Sequence, residues 1–155
     1  MKQKQALDVL KAGKNVYLTG AAGSGKTHVL NQYVSYIKER GIPIAVTAST
    51  GIAATHLGGV TLHSWSGVGV RDALSHAELE ALEQKEYLWK RFEKTKILVI
   101  DEVSMLSPRL FDTVERICRT MKRNDKPFGG MQIVLAGDFF QLPPITRGSS
   151  AQEFF

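Results

Sequence analysis

The sequence predicts an α/β fold: a parallel sheet with helices on both faces. Three observations carry that expectation. Segments rich in strand formers alternate with segments of helical spacing, the order that gives parallel strands joined by crossover helices. Between the first such strand and the helix after it lies Gly20-Ala21-Ala22-Gly23-Ser24-Gly25-Lys26-Thr27. This reads G-x-x-x-x-G-K-T, the phosphate-binding loop (P-loop) of nucleoside triphosphatases. Finally, the continuous apolar run Ile97-Leu98-Val99-Ile100 reads as a central strand and ends in two carboxylates, Asp101-Glu102.

The elements follow in order. Residues 2–12 have helical spacing, with Ala6, Leu7, Val9 and Leu10 on one face and Gly13 as the stop. Residues 15–19 form the first strand. The helix after the loop runs to about Arg40, turns Val29, Leu30, Tyr33, Val34 and Ile37 inward, and ends at Gly41 before Pro43. Residues 43–49 read as a second, buried strand. A short helix starts at Thr50-Gly51 and ends at Gly58-Gly59. Residues 59–71 are the least regular part, and residues 72–95 are charged and helical. The third strand is the run ending at Asp101. Ser107-Pro108 is an N-cap followed by a first-turn proline and opens a helix carrying Leu110, Phe111, Val114, Ile117 and Cys118 inward. Residues 122–127 read as a solvated, charged loop. The fourth strand, residues 131–136, leads into Gly137-Asp138-Phe139-Phe140-Gln141-Leu142-Pro143-Pro144.

Composition bounds the function. With 155 residues, 43% hydrophobic and 23% charged, the chain can bury one domain's core. No apolar run approaches the roughly 20 residues of a membrane helix, and residues 1–5 lack the apolar core of a signal peptide. The lone Cys118 excludes an internal disulfide and a cysteine-based metal site. These features predict an intracellular protein, cytoplasmic or nucleoid-associated in a bacterium, with no membrane partner. A net charge of +5 tilts the partner toward a polyanion such as nucleic acid.

The loop and the acidic pair predict ATP and Mg²⁺ chemistry. Glycines let the backbone wrap close to phosphate, and the N–H groups at the helix start face the anion. Lys26 would reach the β- and γ-phosphates, and the Thr27 hydroxyl would hold Mg²⁺. Asp101 is placed as the second Mg²⁺ partner and Glu102 as the general base that polarises water. Gln141 has two equal readings. It is a turn residue before a diproline, or it points at the γ-phosphate if the fourth strand lies between the first and third.

Together the motifs resemble a family. Gly20 through Thr27, Val46-Thr47-Ala48-Ser49-Thr50-Gly51-Ile52-Ala53-Ala54, Gly59-Val60-Thr61-Leu62-His63-Ser64-Trp65, Ile100-Asp101-Glu102-Val103-Ser104-Met105 and Gly137 through Pro144 are similar to the petite-integration-frequency family of superfamily 1B DNA helicases. The similarity covers residues 3 to 155. It implies a RecA-like P-loop domain, an N-terminal ATPase over residues 1–155 whose second RecA-like partner domain and arginine finger are absent from this piece of the protein. It implies a 5′-to-3′ ATP-driven motor on single-stranded DNA that unwinds tailed or forked duplexes, RNA–DNA hybrids and G-quadruplexes. It places Gln3 as the adenine-reading glutamine, with Gln5 second. It makes Lys26, Glu102 and Gln141 catalytic. Gly20, Ala21, Ala22, Gly23, Ser24, Gly25, Thr27 and Asp101 complete the nucleotide site. Thr47, Thr50, Gly51, Thr61, His63 and Ser64 become the DNA-facing set.

Several residues keep two readings. Trp65 is a core anchor for an irregular loop or a base-stacking surface; His63 is a DNA contact or a structural hydrogen-bond partner. His28, His56 and His76 have no metal-ligand spacing. Two other classes remain open, a non-motor P-loop nucleotide switch or kinase and a passive nucleic-acid-binding module with a vestigial ATP site; within motors the competitor is a relaxase- or exonuclease-subunit helicase of the same superfamily.

Overall fold

The computed structural model describes residues 3–20 and 25–138. Residues 21–24, Gln141 and the Pro143-Pro144 loop therefore lie outside the described residues. Five parallel strands, β1 (Val16–Thr19), β2 (Ile44–Ala48), β3 (Val60–Thr61), β4 (Ile97–Asp101) and β5 (Gln132–Gly137), form one sheet in the order β1-β5-β4-β2-β3. The helices are α1 (Gln3–Lys11), α2 (Lys26–Glu39), α3 (Gly51–His56), α4 (Leu62–Ser66), α5 (His76–Glu83), α6 (Glu86–Lys94) and α7 (Pro108–Lys122). The expected fourth strand, β5, does lie between the first and third, pairing with β1 and β4.

Alternation along each strand divides the core. Ile97 and Val99 of β4 join Val134 and Ala136 of β5 and the inward residues of α1 and α2. Leu98 and Ile100 face the other way, into a larger cluster with α4 to α7 that includes Phe92, Val114, Ile117 and Cys118. Strands buried on both faces read as unbroken apolar runs, which is why β4 was legible. Complete burial of each such side chain contributes about 1.5–3 kcal/mol.

Three regions refine or overturn expectation. Residues 59–71 are only partly irregular: β3 adds to the sheet beside β2, α4 follows at once, and residues 67–71 carry no regular element. Trp65 is 6% exposed, and its ring centroid lies 4.4 Å from that of Phe92, so it is a core anchor. Residues 72–95, expected to be helical, resolve into two helices broken at Gln84-Lys85. Ser75 and Glu78 form a capping box that starts the first of them, a signal present in the sequence. Lys122 is not a wet loop cation. It ends α7, and its ammonium donates to the carbonyls of Phe92 (3.0 Å), Glu93 (3.3 Å) and Thr95 (2.8 Å), capping α6.

Candidate nucleotide and nucleic-acid site

All five strands end at one edge, and the residues with chemistry collect there. β1 delivers Gly20, whose φ of 145° is open to glycine alone. Gly25 precedes α2 with a φ of 91°, and no side chain caps the helix. The first-turn N–H groups of this 14-residue helix thus have no capping side chain. Lys26 Nζ donates to Gly20 O at 2.6 Å and to Gly137 O at 2.9 Å, tying the loop to the end of β5. Thr27, one residue further on, is exposed. Gln3 lies over the same glycine: a Cβ added to Gly25 would come within 2.0 Å of its Nε2. The first described helix and the loop are therefore brought together across 22 positions of sequence.

Asp101 ends β4 beside this group. Burial raises its pKa above the ordinary carboxylate range. The N–H of Glu102, donated to Oδ1 at 2.8 Å, and the nearby Lys26 and His56 pull it back down. A half-buried carboxylate near an ammonium fits a divalent cation shared with phosphate oxygens. Among the described residues no group of three His, Cys, Asp or Glu is placed to hold a metal alone. A cation here would draw on Thr27, Asp101 and the nucleotide itself. Glu102 sits at φ 51°, ψ 43°, the left-handed region that non-glycine residues enter at a cost. The side chains of Ser49 and Ser104, which flank the acidic pair, have buried hydroxyls with no hydrogen-bond partner among the described residues. Orphaned polar atoms at a sheet edge suit a polar ligand.

The expected DNA-facing residues divide. Thr50 caps α3 by accepting from Ala53 N at 3.2 Å, and Thr61 caps α4 by accepting from Ser64 N at 3.2 Å. The β2–β3 pairing sets Ala48 opposite Thr61, so the two caps are neighbours. Thr50, Gly51 and Ser64 are exposed, and Thr61 and His63 are half-buried. Thr47 is a correction: it is wholly buried, and its hydroxyl donates to Val99 O at 2.7 Å. It staples β2 to β4 and presents nothing to a ligand. Two links were not foreseen. Ser49 N donates to Asp101 O at 3.1 Å, joining the acidic strand to the residue before the α3 cap. His56, set aside in the sequence, comes within electrostatic reach of Asp101. Nothing in local spacing announces either, because both follow from the β2–β4 pairing.

A parallel sheet in this order, with a glycine loop, an ammonium and an acidic strand end at one edge, defines a RecA-like P-loop domain. Comparison with known proteins narrows this. The chain matches the PIF1-like helicase family over residues 1–155 and belongs to it. It is 54% identical to the ATP-dependent DNA helicase Pif1 of Psychrobacter sp. (strain PRwf-1) over 100% of this chain and 24% of that protein. The crystal structure of Pif1 helicase from Candida albicans superposes with a TM-score of 0.87 at 36% identity, over 96% of this chain and 34% of that one. Pif1 helicase from Bacteroides in complex with ADP-AlF3 and ssDNA gives a TM-score of 0.79 at 38% identity, over 97% and 34%. The chain thus spans about a quarter of the length of the Psychrobacter relative.

Proposed function

We propose that residues 1–155 are the first of two RecA-like motor domains of an ATP-dependent 5′-to-3′ DNA helicase. One observation carries the reading: Lys26, Asp101 and the capped starts of α3 and α4 share one sheet edge, with Ser49 bonded to the Asp101 carbonyl. Lys26 holds the β- and γ-phosphates of ATP. Thr27 and Asp101 hold Mg²⁺, which supplies charge neutralisation when bound. Glu102 orients and deprotonates the attacking water, and Gln141 contacts the γ-phosphate. Gln3, beside Gly25, reads the adenine. Thr50, Gly51, Thr61, His63 and Ser64 face the backbone of single-stranded DNA, while Thr47 supports them from within the sheet. The substrates are single strands and tailed or forked duplexes, extending to RNA–DNA hybrids and G-quadruplexes. The Bacteroides relative, crystallised with ADP-AlF3 and ssDNA, supports both halves of this assignment.

The test is ATP hydrolysis by the whole protein with and without single-stranded DNA. Stimulation by DNA is expected, with Lys26→Ala inactive. Glu102→Gln should bind ATP and lose about 10²–10⁴ in turnover. Hydrolysis indifferent to both DNA and RNA would leave a nucleotide switch in place of the motor.

A further inference from the structure

The outer face of α6 is not used by this assignment. Tyr87, Lys90, Arg91 and Lys94 recur at i, i+3, i+4 and i+7, so they share one stripe of the helix. Leu88 and Phe92 turn the other way and are buried. The Tyr87 residue is 64% exposed, and the Arg91 guanidinium lies 5.9 Å from its ring centroid. Two of the neighbouring acids, Glu83 and Glu93, line a groove with Trp89. Glu86 does pair with Lys90 at 2.6 Å, but both side chains are more than half exposed, and such pairs hold weakly.

Two contacts seat α6 against the helix that carries His63 and Ser64, one through Arg91 of the stripe and one through Leu88 on its buried face. Arg91 Nη1 donates to Trp65 O at 2.7 Å. Gly67, the C-cap of α4, packs so tightly on α6 that a Cβ there would lie 2.7 Å from Leu88 Cδ2. The stripe is therefore tied, through Arg91, to the residue that follows Ser64.

We infer that the Tyr87, Lys90, Arg91 and Lys94 stripe is a further nucleic-acid contact. Lys90 and Lys94 meet phosphates, and the Tyr87 ring packs on a base or sugar of the strand running on past Ser64. Cations interleaved with an exposed aromatic ring are what sequence-tolerant binding of a polyanion with flat bases requires. The inference rests on the DNA-binding reading above and extends it by one helix.

The experiment measures binding of fluorescent oligothymidine and of a forked duplex to the whole protein across a salt series. The variants are Tyr87→Ala and Lys90→Gln/Lys94→Gln; Arg91 is left in place because it holds the Trp65 carbonyl. Ser64→Asp, which sets a carboxylate on the proposed track, tests the underlying reading. Tyr87→Ala should weaken binding about fivefold or more. The double lysine variant should flatten the single-strand salt slope by about 1.4, two contacts' worth. A loss seen with single strands or only with the fork supports the contact and says which strand it meets. If both stripe variants bind like the parent while Ser64→Asp weakens binding, the stripe is no contact and the DNA reading survives. If Ser64→Asp also binds like the parent, the underlying reading falls with it.

Discussion

Asp101 is half-buried beside Lys26, and on the proposed function it must be ionised to hold a cation, so two demands conflict. Burial lifts its pKa above the ordinary carboxylate range, so folding favours the protonated form. That contribution is complete below the unfolded-state pKa of about 3.9 and is lost as pH rises through the higher folded value. At pH 7.5 the ionised carboxylate therefore opposes folding. Asp101→Asn should raise Tm at that pH, with the gap closing on acidification, while ATP turnover is lost. Thermal melts over a pH series, with ATPase assays beside them, check both. An Asn variant less stable than the parent at pH 7.5 would mean that Lys26, His56 and the Glu102 N–H outweigh burial.

At the scale of elements, the site depends on how β2 meets its neighbours. Thr47 bonds β2 to the Val99 carbonyl of β4. Thr47→Val keeps the shape and removes that bond. It should cost about 1 kcal/mol in urea unfolding and leave single-strand affinity unchanged. A selective loss of DNA affinity would restore Thr47 to the DNA-facing set. Gly59 sets the approach of β3: a Cβ there would meet Val46 O at 2.1 Å, a backbone atom that cannot swing away. Gly59→Ala should destabilise by about 2 kcal/mol or more and perturb the adjacent Thr61 cap. Chemical denaturation and amide exchange at Leu62 to Ser66 report the two effects.

For the whole molecule, the sheet sets the end of the acidic strand beside the starts of α3 and α4 through the β4–β2–β3 neighbourhood. A ligand that binds only the folded chain stabilises it by mass action. ADP with Mg²⁺ at a hundred times its Kd should add about 2.7 kcal/mol. For a domain of this size that is a Tm rise of about 5–10 °C. Lys26→Ala should abolish the rise, and chelating Mg²⁺ should reduce it. An unchanged melt in saturating nucleotide would remove the ATP site from this chain.

The sequence by itself determined the layered α/β plan, the glycine loop, the acidic strand end and most of the core. Each is a local pattern: the Gly20 to Thr27 spacing, the Ile97 to Ile100 run, and the cap and proline at Ser107-Pro108 are visible within a few residues. Only the tertiary structure decided which of the polar residues nearby face out. Thr47 sits in a strand buried on both faces, where alternation does not separate ligand side from core side, so the sequence does not show that its hydroxyl belongs to Val99. Lys122 reads locally as a solvated charge because its three carbonyl partners, in Phe92, Glu93 and Thr95, lie 27 to 30 residues away. The Ser49–Asp101 bridge, the approach of His56 and the seating of α6 on Gly67 are likewise long-range. They follow from strand order and helix packing, which local spacing does not encode.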